Sequence, residues 1–283
     1  MTEKDPREPL GAAQLRQYLS NSPPLGWESV EVIEETGSTN ADLLERAARG
    51  PIARRVLIAD HQTQGKGRLG RRWEAPPRTQ IALSFGVAFD RSARAGGPEL
   101  GWLPLAVGLS VGAMLAQYFD SYRSISGVPV PEPSLKWPND VLVGDRKIAG
   151  VLVQLSPKAD EAVVGVGLNV DQHEDELPVP TATSLRIEQV AAARQQLVPL
   201  LLMELDRGLD RWLAQDPGLA DAYRAHCSTL GQDVRVALPG GNEIFGRASS
   251  VDDHGRLVVA LADGTARVVD AGDVQHVRPV GPA

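Results

Sequence analysis

Cysteine is nearly absent from this sequence, whose 283 residues contain only Cys227. A single cysteine excludes an intramolecular disulfide and is typical of a reducing cytosol, so we predict a cytoplasmic location. No cysteine and histidine cluster has the spacing of a metal site, and we interpret Cys227 as a structural thiol. The N-terminus also lacks the apolar segment of a signal peptide.

Long apolar runs and an excess of positive charge are missing as well. The most apolar stretch, residues 103–118, contains Pro104 and is shorter than the ~20 residues of a membrane-spanning helix, so we expect no membrane span. The net charge of −7 disfavours nucleic acid as a general partner. With 42% hydrophobic and 23% charged residues, the composition is that of a globular protein with room for one large and one small domain.

One segment differs from this acidic background because it combines glycines with cations. Residues 60–73, the basic loop, contain Gly65, Gly67 and Gly70 interleaved with Lys66, Arg68, Arg71 and Arg72. Glycine-rich backbone flanked by Lys and Arg binds anions, so the segment predicts a polyphosphate site. It is neither a dinucleotide-binding loop nor a Walker loop, since no helix follows the third glycine and no Ser or Thr follows the lysine. Alone, it is equally consistent with a solvated basic loop or a patch for nucleic-acid phosphates.

The apolar pattern predicts strands and helices interspersed up to about residue 228. Strands are predicted at residues 30–36, 56–61, 80–89, 141–143, 146–155 and 161–170. Helices are predicted at residues 12–19, 41–49, 100–119, 185–214 and 219–227, with a polar loop at 91–97 and an extended connector at 127–133. Two glycines in the strand at 161–170 indicate that another group packs against its backbone.

The hydrophobic pattern changes at Gly231, where short strands with alternating apolar and polar residues begin. Four are predicted, at residues 233–238, 243–251, 255–261 and 265–269, separated by Gly- and Asp-rich turns. These strands predict a small all-β barrel, which has too little core to stand alone and so packs on the larger domain. We therefore divide the chain into a leader (1–27), a main domain (28–228) and a C-terminal domain (229–283).

Several polar residues fall where strands and helices meet. Ser38, Thr39 and Asn40 lie at a strand-to-helix junction, where one of them suffices to cap the helix and three make a compact hydrogen-bonding site. Lys136, Asp140 and Lys147 border a predicted hairpin. Together with the basic loop, they predict cations converging on one sheet face, with one carboxylate for Mg²⁺. Such a set suits nucleotidyl transfer, in which the protein stabilises charge on phosphate oxygens.

Five segments, taken in order, resemble the signature motifs of biotin–protein ligases. They are residues 37–40, 62–73, 136–140, 146–150 and 165–169. The resemblance extends from about residue 30 to the end of the chain. It implies an α+β fold, with a mixed β-sheet and helices of the class II synthetase-like, biotin–lipoate ligase type, followed by a small SH3-like β-barrel. It also implies a monomer or weak homodimer.

The resemblance implies a two-step reaction. Biotin and ATP, with Mg²⁺, form biotinyl-5′-AMP and pyrophosphate, and the biotinyl group passes to a lysine of the biotin carboxyl carrier domain of an acyl-CoA or pyruvate carboxylase. The biotin-binding residues implied are Ser38, Thr39, Asn40, Gln62, Lys66, Gly67, Arg68, Lys147 and Gly150. The ATP-binding residues implied are Lys66, Arg68, Arg71, Trp73, Lys136 and Asn169. The catalytic residues are Lys136, Arg68, Lys147 and Asp140, of which Asp140 is predicted to orient the acceptor amine or the metal.

The sequence departs from the family pattern in two places. The basic loop has Lys66 and Leu69 where the family often has arginine. Because lysine lacks the bidentate fork of arginine, we expect looser retention of the adenylate. Some members also carry an N-terminal DNA-binding domain. Residues 1–27 are too few to form one, so we predict no sequence-specific DNA binding.

Two other functions are weighed against this one. A lipoate or octanoate ligase shares the general architecture, but Gln62 and the Ser-Thr-Asn run favour a polar ring over a plain acyl tail. A non-enzymatic biotin sensor or nucleic-acid-binding module is disfavoured by the acidic charge. Pyrophosphate release that needs both biotin and ATP distinguishes these possibilities. Trp102 is interpreted as a core residue, His61 as a strand-end residue and His173 as part of a solvated loop.

Overall fold

The computed structural model describes residues 7–20, 24–89, 97–158, 160–238, 241–270 and 272–276. Its helices are α1 (Ala12–Ser20), α2 (Thr39–Arg49), α3 (Leu103–Ser126), α4 (Arg194–Leu213) and α5 (Gly218–His226). Its strands are β1 (Ser29–Thr36), β2 (Arg55–Gln62), β3 (Gln80–Ala88), β4 (Pro133–Lys136), β5 (Asp140–Val143), β6 (Arg146–Leu155), β7 (Glu161–Asn169), β8 (Asp233–Ala237), β9 (Glu243–Val251), β10 (Leu257–Ala260), β11 (Ala266–Val269) and β12 (Asp273–His276). Most of the polar loop predicted at 91–97 lies outside the described residues.

The larger domain is built on a mixed sheet, as predicted. Seven strands lie in the order β1-β2-β3-β7-β6-β5-β4, with β1 parallel to β2 and the other neighbours antiparallel. Successive residues of a strand point to opposite faces of the sheet. Leu57 and Val163 pack with Leu43 of α2, whereas Ile58 belongs to the large core that includes α3 and α4. The sheet is thus covered by helices on each side.

Helix α3 is longer than predicted. It runs from Leu103 to Ser126 rather than ending at residue 119. Pro104 does not interrupt the helix because it lies in the first turn, where a backbone N–H has no partner within the helix and its absence removes no hydrogen bond. The expectation that no apolar segment reaches membrane-spanning length was therefore wrong: residues 100–126 form a helix that is, by length and composition, long and apolar enough to cross a membrane. More than half of its apolar span is buried in the fold, and α3 packs mainly against α4.

Helix α4 is shorter than predicted, since residues 185–189 form turns and residues 190–193 have no regular structure. Backbone groups in that stretch bond elsewhere: Leu185 N–H donates to the Asn169 carbonyl at the end of β7. The Tyr122 hydroxyl, from α3, donates to the Gln189 carbonyl at 2.8 Å. Tertiary hydrogen bonds therefore replace the helical ones that the apolar periodicity favoured.

The C-terminal domain is a five-stranded antiparallel sheet in the order β11-β10-β9-β8-β12, and four of these strands, β8 to β11, correspond to those predicted for the SH3-like barrel. Strand β12 was not predicted. The domain packs on the larger one, as expected, and its Val234 and Leu257 belong to the same core cluster. Trp102 Nε1 donates to the Asp253 carbonyl at 2.8 Å. Trp137 Nε1 likewise donates to the Gly255 carbonyl at 3.0 Å.

The segment before α1 braces the end of β2. The buried carboxylate of Asp60 pairs with Arg194 at 2.7 Å and accepts the Leu10 N–H at 3.1 Å. Arg7 pairs with Asp171 and Glu176, both at 2.9 Å. Burial raises the pKa of Asp171, but hydrogen bonds from Arg186 and Arg7 outweigh it and leave that pKa below its ordinary value. The N-terminal segment is therefore an integral part of the larger domain.

Candidate active site

The predicted motifs meet at one cavity, formed by the start of α2, the strands β2, β3, β6 and β7, and the basic loop. All nine residues predicted to bind biotin line it: Ser38, Thr39, Asn40, Gln62, Lys66, Gly67, Arg68, Lys147 and Gly150. Trp73, predicted to bind ATP, lines it as well. Segments that are far apart in sequence are thus brought together because β2, β3, β7 and β6 are consecutive strands of the sheet.

The inner wall of the cavity consists of neutral polar side chains. They are Thr39, Asn40, Gln62 and Ser84. Thr39 N–H donates to Gln62 Oε1 at 2.9 Å, and Thr39 Oγ1 lies 2.7 Å from Ser84 Oγ. Within the described chain, the N-cap residue of α2, Ser38, makes no side-chain capping bond. The Ser-Thr-Asn run is therefore not used for helix capping, which was the alternative interpretation.

Asn40 is held from both ends of its amide. Ser84 Oγ donates to Asn40 Oδ1 at 2.6 Å. Asn40 Nδ2 donates to Gln154 Oε1 at 2.9 Å and to the Leu152 carbonyl at 3.3 Å. A Cβ placed on Gly165 would lie 2.2 Å from Asn40 Oδ1, so the bare glycine makes room for this side chain. Close packing against the β7 backbone, predicted from its glycines, is confirmed here.

Ser84 and Gln154 were missed by the sequence analysis. Ser84 lies within β3, where all residues except the last are buried. A hydroxyl in such a strand must find a partner, and that requirement was the available signal. Gln154 lies near the exposed end of β6, and its sequence context carried no comparable signal.

The outer part of the cavity is cationic. Lys147 lies on β6, and its Nζ is 2.5 Å from Asp140 Oδ1 at the start of β5. The same Nζ lies 5.4 Å from the centre of the Trp73 ring, within the range of a cation–π contact. Lys66 and Arg68 reach the cavity from the basic loop. An anionic group entering the cavity would therefore meet three cations.

The basic loop folds back on itself and contacts the sheet at defined points. Trp73 N–H donates to the Gly65 carbonyl at 2.9 Å. Arg68 Nη1 donates to Asn139 Oδ1 at 3.0 Å, and Trp73 Nε1 donates to Gln80 Oε1 at 2.5 Å. The side chains of Arg68 and Trp73 thus connect the loop to the turn between β4 and β5 and to β3.

Trp73 largely fills the cavity. A Cβ placed on Gly167 would lie 2.4 Å from the indole of Trp73, so the ring rests directly on the β7 backbone. About 60 Å³ of the cavity is left open. Ligand pockets usually have about 300–1,000 Å³, so a bicyclic ligand requires the indole or the Lys147 side chain to move.

Four of the predicted site residues lie outside this cavity: Arg71, Lys136, Asp140 and Asn169. Lys136 on β4 is the cross-strand partner of Asp140, which in turn pairs with Lys147. Asn169 is buried at the end of β7, where it donates to the Thr183 carbonyl at 2.8 Å and accepts from Gln172 Nε2 at 3.0 Å. Arg71 is exposed on the loop.

A second cavity, of about 510 Å³, adjoins the first between the sheet and the C-terminal domain. It shares Arg68, Asn139 and Val151 with the first cavity and is bordered by Trp137 and the turn at residues 254–256. Arg68 therefore faces two spaces at once, one narrow and one wide.

The residues do not fit a metal site held by the protein. Among the described residues, no three His, Cys, Asp or Glu side chains come close enough to hold a metal ion. Asp140, the predicted Mg²⁺ ligand, is paired with Lys147. Mg²⁺ commonly enters such sites on the phosphates of a nucleotide, which requires no dedicated protein cage.

Comparisons with known proteins agree with the geometry. Residues 31–171 match the model of the "Biotin/lipoate A/B protein ligase family", and residues 229–277 match "Biotin protein ligase C terminal domain". A biotin protein ligase from Aquifex aeolicus, solved in complex with biotin and ATP, is 27% identical with a TM-score of 0.69, over 89% of this chain and 100% of that one.

Two relatives extend the similarity over most of the sequence. A biotin--[acetyl-CoA-carboxylase] ligase of Mycobacterium tuberculosis is 45% identical, covering 98% of this chain and 100% of that protein. The enzyme of the same name from Paracoccus denitrificans is 30% identical over 86% of this chain and 98% of that protein. The chain therefore belongs to the biotin protein ligase family.

Proposed function

We propose that this protein activates biotin with ATP to biotinyl-5′-AMP and transfers the biotinyl group to a lysine of a biotin carboxyl carrier domain. One observation carries the proposal: a single cavity has a neutral hydrogen-bonding inner wall and a cationic outer part. Biotin has the same division, with a neutral ureido ring at one end and a carboxylate at the other. The names of the Mycobacterium and Aquifex proteins support this assignment.

The inner wall favours biotin over lipoate or octanoate. Thr39 and Gln62 offer hydrogen-bonding groups beside each other at the cavity end. A cyclic urea can bond to the donor and acceptor capacity that these groups have left, whereas a dithiolane or an alkyl tail would leave that capacity buried and unused. An unpaired buried polar group costs about 1–3 kcal/mol, enough for a strong preference.

The first step needs no general base. The carboxylate of biotin, with a pKa of about 4–5, is already ionised at neutral pH. One of its oxygens attacks the α-phosphorus of ATP, and the bond from that phosphorus to the pyrophosphate oxygen breaks. The obstacle is repulsion between two anions, which Lys147, Arg68 and Lys66 reduce.

The nucleotide contacts are proposed from position. Trp73 offers its ring face to the adenine, and Lys136, Arg71 and Asn169 complete the nucleotide side. Lys136 belongs there because it lies beside Asp140, one strand from Lys147. Mg²⁺ enters as part of the MgATP substrate, since Asp140 is engaged by Lys147.

The second step is aminolysis. The acceptor lysine, with an ordinary pKa of about 10.4, must lose a proton before its amine attacks the acyl carbon and AMP leaves. We assign Asp140 to holding Lys147 in place through their 2.5 Å contact. Lys147 then stabilises the departing phosphate.

The biological setting follows from this reaction. The acceptor is the carrier domain of an acyl-CoA or pyruvate carboxylase, and the reaction belongs in the cytoplasm with its ATP. We propose that residues 28–228 form the catalytic domain, on which the N-terminal segment packs through Arg7 and Leu10, and that residues 229–283 form the SH3-like domain. The protein acts as a monomer or weak homodimer and does not bind operator DNA.

The test is pyrophosphate release and isothermal titration with biotin alone, ATP alone and both. We expect pyrophosphate to appear only with both substrates, and the label from biotin to appear on an added carrier domain. Arg68→Ala is expected to form the adenylate and to release it faster. Absence of biotin-dependent pyrophosphate, with activity on lipoate or octanoate, would contradict the proposal.

A further inference from the structure

We infer that the C-terminal domain holds the basic loop closed through the turn at residues 137–139. Trp137 is anchored by the C-terminal domain, and Asn139 holds the guanidinium of Arg68. Trp137 and Asn139 are thus positioning residues for Arg68, and together they keep the loop over the adenylate. These roles rest on the proposed function, because they concern how the adenylate is retained.

The turn contacts the loop through a hydrogen bond from Arg68 Nη1 to Asn139 Oδ1, at 3.0 Å. The Asn139 amide can face Arg68 in one way only. Its Nδ2 group donates to the Val151 carbonyl on β6 at 2.9 Å, and a carbonyl can only accept. The amide oxygen is therefore left for Arg68, whose guanidinium can only donate.

Asn139 is itself fixed to the sheet. The Val151 N–H donates to the Asn139 carbonyl at 2.9 Å, so the main chain and the side chain of Asn139 bond to the same residue of β6. Two bonds to one strand residue fix both the position and the rotation of the amide. Arg68 is the movable partner, because it lies in the basic loop, whose residues 69–72 are exposed.

The other end of the turn is anchored by the C-terminal domain. The Trp137 backbone N–H donates to Thr229 Oγ1 at 3.1 Å, and its indole N–H donates to the Gly255 carbonyl at 3.0 Å. Thr229 is 0% exposed and Trp137 is 1% exposed, so water cannot replace a lost partner. Because only Pro138 separates Trp137 from Asn139, a displacement of Trp137 also changes the position of Asn139.

The Gly255 carbonyl is a fixed acceptor, because the turn between β9 and β10 is pressed against the larger domain. A Cβ placed on Gly101 would lie 2.1 Å from the His254 carbonyl oxygen. A Cβ placed on Gly255 would lie 2.7 Å from the Gly101 carbonyl carbon. The two main chains are therefore in direct contact, and the C-terminal domain offers Trp137 a partner of defined position.

Arg68 lies where its position affects retention. It lines both the narrow cavity and the wide cavity beside the C-terminal domain, and Asn139 and Val151 line both as well. In the proposed reaction the phosphate of the adenylate lies near Arg68 and Lys147. A guanidinium held at the boundary of the two cavities covers that phosphate, whereas a released one lets the loop open.

The experiment measures dissociation of biotinyl-5′-AMP by a chase with unlabelled biotin, in Asn139→Ala and in wild type. Asn139→Ala removes the acceptor of Arg68, so we expect release to become about tenfold faster, the worth of one hydrogen bond to a charged group. Asn242→Ala is the control. It removes an exposed asparagine side chain between β8 and β9 and should leave the release rate unchanged.

A double-mutant cycle with Arg68→Ala separates positioning from general structural damage. Arg68→Ala alone should also accelerate release. Because Asn139 acts through Arg68, adding Asn139→Ala to Arg68→Ala should change the rate by less than about twofold. A purely structural role, or a direct contact between Asn139 and the ligand, would give about the same acceleration in both backgrounds.

The link to the C-terminal domain is tested by Trp137→Phe, which keeps a ring but loses the indole N–H that bonds to Gly255. We expect release to become about threefold faster, as for loss of one neutral hydrogen bond, and this effect should disappear in the Arg68→Ala background. The matched control is Trp102→Phe, because Trp102 donates to the Asp253 carbonyl in the same turn of the C-terminal domain, at 2.8 Å, but lies outside the turn at 137–139. Both variants should lower the free energy of unfolding, but Trp102→Phe should not change release.

The inference is overturned if Asn139→Ala or Trp137→Phe leaves the release rate unchanged, or if their effects persist in full in the Arg68→Ala background. It is also overturned if Trp102→Phe accelerates release as much as Trp137→Phe. A wild-type protein that forms no biotinyl-5′-AMP from biotin and ATP would instead overturn the proposed function, and these roles with it.

Discussion

The two walls of the cavity differ in how they are held. We call the neutral inner wall the sheet wall, and the wall formed by the basic loop the loop wall. On the sheet wall, Thr39, Asn40 and Ser84 are buried and hydrogen-bonded to one another. On the loop wall, Lys66 is exposed, Arg68 bonds to Asn139 in the turn between β4 and β5, and Trp73 bonds to Gln80 on β3. The sheet wall can therefore discriminate between ligands, whereas the loop wall can open.

This difference separates two properties of the proposed enzyme. Buried networks tolerate little change, so the choice of ligand depends on the sheet wall. Segments with few buried contacts open at low cost, so entry of biotin and retention of the adenylate depend on the loop wall. Substitutions on the two walls should consequently change different kinetic constants.

The largest effect is expected at Lys147, which lies on β6 and contacts Trp73 of the loop wall. Lys147→Ala removes a cation that pairs with Asp140 and lies over Trp73. We expect kcat/KM for pyrophosphate release to fall by about 10²–10³-fold, as for loss of one group that stabilises transition-state charge. Lys158→Ala, an exposed lysine beyond β6, is the control and should have no effect. A loss below tenfold at Lys147 would remove it from the catalytic group.

The sheet wall is tested by adding a methyl group. Gly165→Ala places a Cβ 2.2 Å from Asn40 Oδ1, so Asn40 must shift. We expect the KM for biotin to rise about tenfold through lost hydrogen bonding, and the free energy of unfolding to fall by about 1–3 kcal/mol. Steady-state kinetics and thermal unfolding measure the two. In Gly50→Ala, where no described atom lies within 4 Å of the new Cβ, both should match wild type.

The loop wall is tested by Trp73→Phe. Phenylalanine keeps an aromatic ring but loses the N–H that bonds to Gln80. We expect biotinyl-5′-AMP to dissociate about three- to tenfold faster, as measured by a chase with unlabelled biotin. Trp27→Phe loses the corresponding bond to the Leu202 carbonyl, away from the site, and should not change the rate. If Trp73→Phe raised the KM for biotin as much as Gly165→Ala, the two walls would not be functionally separate.

The smallest effect on activity is expected behind the sheet wall, at Arg7. Burial raises the pKa of Glu176 and Asp171, but hydrogen bonds from Arg7 to Glu176, and from Arg186 and Arg7 to Asp171, leave both pKa values below the ordinary 4.5 and 3.8. Carboxylates with lowered pKa contribute stability above those ordinary values and lose it as the pH falls through the folded-state values.

Arg7→Gln should therefore lower the free energy of unfolding by about 1 kcal/mol at pH 7, because the partners are partly exposed. Urea unfolding at several pH values should show the difference fading below about pH 4. The KM for biotin at pH 7 should be unchanged. A difference that did not shrink at all as the pH falls below 3.8 would mean that Arg7 stabilises the fold by packing and not by charge.

Local patterns predicted most elements but not all of their ends. The strands around the basic loop were predicted because apolar runs bounded by glycine are strong indicators. The end of α3 was placed at residue 119 rather than Ser126, because its last turns are amphipathic and gain their stability from Arg123 and Tyr122 contacts. The predicted start of α4 was wrong because the backbone of residues 185–193 forms hydrogen bonds with β7 and α3.

The sequence by itself determined the family, the order of the motifs and the residue types that the chemistry needs. These properties depend on local spacing, which is written in the chain. It also indicated that glycines in β7 would be covered, but not that Asn40 would cover Gly165 and Trp73 would cover Gly167.

Only the tertiary structure decided which side chains form each wall. Ser84 and Gln154 lie on β3 and β6, and they join Asn40 because β7 lies between these strands in the sheet. Asn40 Nδ2 donates to the Leu152 carbonyl, and Gln62 Oε1 accepts from the Thr39 N–H, because strand register and the start of α2 place these backbone groups beside the two side chains. Contacts between distant segments depend on that three-dimensional arrangement, and no local pattern in the chain encodes them.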